Sequence, residues 1–149
     1  MSFLLDTNVI SEWVKPRPDP QVIAWLAETD EDRIFLSVIS FAEIRMGVEL
    51  LPAGQRRDRL AGWLADELPV RFEGRILPVD RTIAEAWGVV TIRARKAGVT
   101  VGSIDAFFAA TSIARRLTLV TRNIEHFQAL KIPLLDPWQP SAAVPPNLT

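Results

Sequence analysis

Residues 3–13 read FLLDTNVISEW. Three apolar residues, Phe3, Leu4 and Leu5, run straight into an acid at Asp6, and helix-compatible sequence follows from Thr7. A carboxylate at the end of a buried strand is costly to desolvate, so it needs a partner, a helix to cap or a metal. The stretch predicts a buried strand over 2–5 that turns directly into a helix. KPRPDP (15–20) stops that helix, because proline lacks an N–H and biases the residue before it away from helix.

The same alternation recurs along the chain. QVIAWLAET (21–29) reads as a second helix and RIFLS (33–37) as a second strand. In the following helix (39–51), Ile39, Ala42, Met46 and Leu50 recur at spacings of three and four, and QRRDRLAGWLADEL (55–68) repeats the pattern with Leu60, Trp63 and Leu64. RILPVD (75–80) is a third strand, followed by a long helix (81–98) ended by Gly98 and another (103–116) with Ser103 as its N-cap. LTLVT (117–121), EHFQAL (125–130) and IPLLD (132–136) read as strand, short helix and strand. Short apolar strands separated by helices predict one three-layer α/β/α domain with a central parallel sheet of about four to five strands. Its expected extent is 1–138, with a Pro-rich tail, 139–149, that frays. In such a sheet, sites gather beyond the carboxyl ends of the strands, where Asp6 and Asn123 fall.

Composition restricts the chemistry. The 149 residues, 48% hydrophobic, suit one domain. Seventeen Lys and Arg against eighteen Asp and Glu leave a net charge of -1, so a polyanion would have to be held locally. Without cysteine there is no disulfide, thiolate nucleophile or zinc ribbon, which fits a reducing compartment. A single histidine, His126, and no tyrosine exclude a two-histidine acid–base pair and leave carboxylates, hydroxyls or a metal. The start lacks a basic signal region and no window offers the roughly 18 apolar residues of a span, so a soluble cytoplasmic protein without membrane association is expected.

Asp6, Glu43 and Asp105 come from three segments, each beside a predicted strand end or helix start. Each has an ordinary structural explanation: Asp6 as a helix cap, Glu43 on an exposed helix face, Asp105 as a first-turn acid favoured by the macrodipole. Together they would repel, and a hard cation such as Mg2+ or Mn2+, with oxygen ligands at about 2.0–2.2 Å, would offset that repulsion. Arg122, beside the same edge, is a candidate phosphate contact because a guanidinium can fork two oxygens. The clusters Arg56, Arg57, Arg59 and Arg93, Arg95, Lys96 read as solvated helix faces, and Trp25 and Trp87 as core.

LLDTNVIS, SVISFAEIRMGVELL, GSIDAFFAATS and LTLVTRNIEHF, in this order, resemble the PIN-domain ribonucleases, specifically the VapC toxins of the FitB-like branch of type II toxin–antitoxin systems. The resemblance covers about residues 2 to 138. It implies a Mg2+-dependent endoribonuclease (Mn2+ serving as well) that cuts RNA, is silenced by a VapB-type antitoxin, forms a homodimer and assembles further with the antitoxin. The family's metal-binding acids fall on Asp6, Glu43 and Asp105, with Ser40 three residues before Glu43, which either ligates the ion or orients the attacking water as general base. Its fourth acidic position holds Asn123, a substitution common in this branch. Thr7 and Thr121 match hydroxyls beside the family's site. His126 stands where an acid is common, and one imidazole at a loop–helix junction reads as a surface or capping residue. The apolar stretches VISEWV and VELLPAG suit core, a dimer face or a groove for an antitoxin helix equally.

Other classes fit less well. A haloacid-dehalogenase-type phosphatase wants a second acid two residues after the first, where Asn8 stands. The scattered glycines form no phosphate-binding loop. The rival from another class is a non-catalytic PIN-like module that binds RNA or protein, which the missing fourth acid favours and the retained three acids oppose.

Overall fold

The computed structural model describes residues 1–139. Of the expected Pro-rich tail, residues 140–149 lie outside the described residues.

Five short strands, β1 (Phe3–Leu5), β2 (Ile34–Ser37), β3 (Ile76–Leu77), β4 (Thr118–Val120) and β5 (Leu134–Leu135), form one sheet in the order β3-β2-β1-β4-β5. All four pairings are parallel, with Phe3 beside both Ile34 and Thr118, and Leu5 beside Val120. Successive strand side chains point to opposite faces, and β1 shows the consequence. Leu4 enters a core with Leu119, Phe108, Ala109 and Ile83, whereas Leu5 enters a second core with Val120, Val9, Ile10 and Val22. A strand buried on both faces has to be apolar at every position, which is why β1 reads as a continuous apolar run.

Helices supply the outer layers. On the Leu5 side lie α1 (Thr7–Ile10), extended by a 3-10 turn to Val14, then α2 (Pro20–Glu28), and the segment α4 (Gln55–Gly62), a π-turn (Trp63–Glu67) and α5 (Leu68–Arg71). On the Leu4 side, α6 (Arg81–Lys96) packs against α7 (Ser103–Arg115). Asp80 caps α6 by accepting the Ile83 N–H at 2.9 Å, and its other oxygen meets Arg115 at 2.6 Å, tying the start of α6 to the end of α7. Between the layers, α3 (Val38–Leu50) leaves β2 without an intervening loop, Ser37 capping it through the Ile39 N–H at 3.0 Å. A single turn, α8 (Ile124–Phe127), follows β4.

Several boundaries differ from the sequence-based expectations, each for a local reason. The third strand stops at Leu77 because Pro78 cannot donate to the ladder, and the last begins only after Pro133. Segment 55–68, expected as one uniform helix, holds the π-turn: Pro69 has no N–H for the Ala65 carbonyl, and the Leu68 N–H reaches back to Trp63. Ser103 is the first residue of α7 rather than its cap; Gly102 occupies the N-cap position and no side-chain oxygen caps the helix. The long helix ends at Lys96, with Gly98 just beyond it at φ +74°, a left-handed conformation that glycine adopts without strain.

The strand order reverses between β1 and β4, and such switch points open a crevice at the carboxyl edge of a parallel sheet. The Asp6 N–H donates to the Val120 carbonyl at 2.9 Å, carrying the β1–β4 ladder one residue past β1. Phe108 carries the Leu4-side core beneath this edge and has no exposed surface. Phe108→Ala is expected to cost about 3–5 kcal/mol in urea unfolding, the range for emptying a fully packed aromatic site; a loss under about 1 kcal/mol would mean that the α7–sheet interface does not hold the fold.

Candidate active site

Asp6 sits at the crevice with only 5% of its surface exposed. Its Oδ1 accepts the Thr7 N–H at 2.7 Å, and its Oδ2 accepts the Thr121 hydroxyl at 2.7 Å from the end of β4. Asn8 reaches Oδ2 at 3.5 Å. Asp6 is thus the N-cap of α1, but its carboxylate serves one helix amide only. The Val9 and Ile10 N–H groups bond its backbone carbonyl instead. Capping explains one oxygen and leaves the burial of the other against Thr121 to another cause. Burial pushes the carboxyl from the usual 3.8 up to about 6; the Thr121 and Thr7 hydrogen bonds pull it down, and the charges of Asp105 and Glu43 push it up again.

Glu43 arrives one turn into α3, on the helix that β2 feeds directly. The Thr7 hydroxyl lies 2.5 Å from Glu43 Oε1 and 2.9 Å from the Ser40 hydroxyl. A carboxylate can only accept, so the Thr7 proton goes to Glu43 and Ser40 donates to Thr7. Asp105 comes from the first turn of α7, where the helix N-terminus favours its negative charge. Its Oδ2 lies 3.1 Å from His126 Nδ1.

On the β4 side, Thr121 takes the Asn123 N–H on its hydroxyl at 3.0 Å while donating to Asp6. Asn123 precedes α8 and makes no side-chain cap bond. The Arg122 guanidinium lies 5.2 Å from the Trp138 ring centroid, and its backbone N–H donates to Asn8 Oδ1 at 3.4 Å. Arg122, Asn123 and His126 line an open cavity of about 460 Å3. The fold therefore gathers Asp6, Thr7, Ser40, Glu43 and Thr121 by direct or shared hydrogen bonds, and sets Asp105 within electrostatic reach of Asp6. Arg122 and Asn123 flank this group without bonding its acids.

Among the described residues, no three acid or histidine side chains stand close enough to enclose an ion unaided. Mg2+ does not need that: it keeps several waters and takes one or two carboxylates from the protein. The donor chemistry fits such an ion, since Asp6, Glu43 and Asp105 offer hard oxygens and Asp6 is buried where a cation would lower its carboxyl. Two contacts escaped the sequence reading. His126, 57% exposed, bonds Asp105, and Asn8 joins Asp6 to the Arg122 backbone. The signal for His126 was its place three residues past Asn123, one turn from the same edge.

A carboxyl raised above its unfolded value binds its proton more tightly in the folded protein. That contribution to stability is complete below about pH 4 and is lost as pH rises through about 6. In EDTA, wild type should therefore lose about 2–3 kcal/mol between these limits relative to Asp6→Asn, measured by urea unfolding. Parallel pH profiles for the two proteins would contradict the raised carboxyl.

The PIN domain family model matches residues 3–132. The chain is 35% identical to the VapC ribonuclease Y4jK of Sinorhizobium fredii over 93% of this chain and 99% of that protein. It is 37% identical to Toxin FitB of Neisseria gonorrhoeae, over 91% of this chain and 97% of that protein. The crystal structure of FitAcB from Neisseria gonorrhoeae superposes with a TM-score of 0.87 at 36% identity, covering 92% of this chain and 99% of that one. With the family match spanning nearly the whole sheet and its flanking helices, the chain belongs to the PIN-domain family.

Proposed function

We propose that the chain is the toxin of a type II toxin–antitoxin pair, a divalent-metal-dependent endoribonuclease of the VapC type that an antitoxin of the VapB kind inhibits. The observation that carries the reading is the buried Asp6 carboxylate, raised to about 6 at the sheet's switch point with two further acids acting on it. The relatives bearing the names VapC ribonuclease and Toxin FitB, each aligned over nearly their full length, support both the activity and the toxin role. The crystal structure of FitAcB supports a partnered state, and we extend it to a homodimer that assembles further with the antitoxin. Residues 1–138 form the functional unit, and its place is the cytoplasm; no helix of the described residues is long and apolar enough to cross a membrane.

In this reading Asp6 and Asp105 would hold Mg2+, with Mn2+ as the substitute, and Glu43 serves as the base. The ion supplies positive charge to the phosphoryl oxygens and lowers the pKa of water. The chain's own groups do the rest. Thr121 and the Thr7 N–H fix both Asp6 oxygens in direction, and Thr7, backed by Ser40, holds Glu43 through Oε1. Glu43 Oε2 carries no hydrogen bond among the described residues and is the oxygen available to take a proton from the attacking water. The water oxygen bonds to phosphorus and the bond to the leaving ribose oxygen breaks. Asn123 orients water or a phosphate oxygen without adding charge, and Arg122 meets the phosphate backbone.

One observation favours the rival, a PIN-like module that binds without cutting: no ready-made three-residue ligand set stands among the described residues. Purified protein incubated with structured RNAs separates the two. Wild type with Mg2+ is expected to cleave, and EDTA, Asp6→Asn and Asp105→Asn are each expected to lower the rate by at least about a hundredfold without loss of helical circular dichroism. Equal rates in wild type and either variant would overturn the site. RNA bound but intact under every metal condition would favour the module. Arg122→Ala is expected to weaken RNA binding and reduce the salt slope by about 0.7, one phosphate on a single strand; an unchanged slope would remove Arg122 from the phosphate path.

A further inference from the structure

At the β4–β5 end of the crevice, the cavity of about 460 Å3 that holds Arg122, Asn123 and His126 in its wall also takes in Glu125, Gln128 and Asp136. Two of these residues reach the acids. The Asn123 N–H donates to the Thr121 hydroxyl that holds Asp6, at 3.0 Å, and His126 Nδ1 lies 3.1 Å from Asp105 Oδ2. We infer that this cavity is a base-reading subsite, in which Glu125, Gln128 and Asp136 take the guanine of a nucleotide next to the phosphate that is cut. The inference rests on the ribonuclease reading above and adds the feature of the RNA that the protein selects.

The lining excludes a phosphate and suits a base. Glu125 and Asp136 place two carboxylates in the wall, so a phosphate between them would meet like charge. Arg122 is the one arginine or lysine of the lining, and its guanidinium is held against the Trp138 ring, 5.2 Å from the centroid. Its side chain makes no hydrogen bond among the described residues, which leaves its N–H groups for the phosphate assigned to it above and a flat cation on which a base can stack. Phosphate and base of one nucleotide are thus met by neighbouring groups. The volume lies within the range of pockets that take a small ligand.

The unspent hydrogen-bonding groups name the base. Asp136 Oδ1 accepts the Trp138 N–H at 2.8 Å, which fixes the carboxylate and leaves Oδ2 without a partner among the described residues. Glu125 and Gln128, both exposed, make no side-chain hydrogen bond or ion pair among them either. A carboxylate can only accept, whereas the Gln128 amide donates as well. Guanine matches this set. Its N1–H and 2-amino group point the same way and donate together to one carboxylate, while O6 and N7 accept from an amide or guanidinium. Adenine and cytosine bring one amino group to such an edge, and uracil a single N–H. Single-stranded RNA is read in this manner, by splayed bases that stack on flat groups and bond along their edges.

The test is fluorescence anisotropy with fluorescein-labelled RNA nonamers, all-uridine or carrying one central guanosine, on the cleavage-impaired Asp6→Asn protein. The guanosine nonamer is expected to bind about tenfold tighter than the uridine one. Inosine in its place lacks the 2-amino group and is expected to bind at least about threefold more weakly than guanosine. Glu125→Gln/Asp136→Asn keeps both side-chain shapes, including the oxygen that accepts the Trp138 N–H, and removes both charges. Fewer negative charges strengthen the binding of every RNA, so the readout is the ratio of the two affinities, expected to fall to within about twofold of unity. A ratio already that low without the double substitution, a ratio the substitution leaves unchanged, or adenosine bound as tightly as guanosine would each overturn the guanine subsite. Wild type with Mg2+ is expected to cut beside the guanosine, and cuts distributed without regard to it would overturn the placement next to the reacting phosphate. Failure to cleave with the guanosine preference intact would strike the ribonuclease reading alone.

Discussion

The structure turns on the desolvated carboxylate of Asp6. The Asp6 N–H extends the β1–β4 ladder, and its side chain is pinned from two directions, by the Thr7 amide of its own helix and by the Thr121 hydroxyl of the neighbouring strand. A buried acid with that much support and a carboxyl still near 6 is held at a cost. Two more acids act on it by charge alone and increase that cost. Folding by itself gains nothing from such a cluster; a cation in the crevice would turn the same repulsion into attraction.

The surrounding fold is arranged so that each acid comes from a different element yet faces the same edge. Asp6 ends a strand, Glu43 rides the helix that leaves β2 without a loop, and Asp105 opens α7 where the helix dipole favours it. The link between the first two is a hydroxyl relay, Ser40 to Thr7 to Glu43, which fixes one Glu43 oxygen. Beside the acids, Thr7 of α1, Glu43 of α3 and Trp63 of the π-turn line one cavity, and Trp63 also lines the one that reaches Trp13.

Much of this was legible in the sequence, because the parallel sheet is buried on both faces. The run Phe3, Leu4, Leu5 cannot be a one-sided strand, and the recurrence of such runs between helical patterns dictates the layers. The acids were legible as candidates too, since Asp6 follows a strand, Asp105 starts a helix and Glu43 rides the helix that β2 feeds. What could not be read depends on through-space placement or on backbone detail. His126 meets Asp105 only because α8 turns back over α7, and the π-turn follows from a missing amide at Pro69 acting on the carbonyl four residues earlier. Arg56 and Arg59 read as surface charges and are exposed; what the sequence hides is that they line one cavity with Trp13 and Lys15, some forty residues before them.

The most direct test of the central claim is the titration of the Asp6 carboxyl itself, followed by carbon NMR of protein labelled at aspartate side chains and assigned with Asp6→Asn. Without divalent metal the carboxyl is expected to titrate near 6. With saturating Mg2+ it is expected to fall below the ordinary aspartate value of about 3.9, because a bound cation favours the charged form. An ordinary value in both conditions, or a raised value that Mg2+ leaves in place, would contradict the claim that Asp6 is buried at the end of β1 to hold an ion.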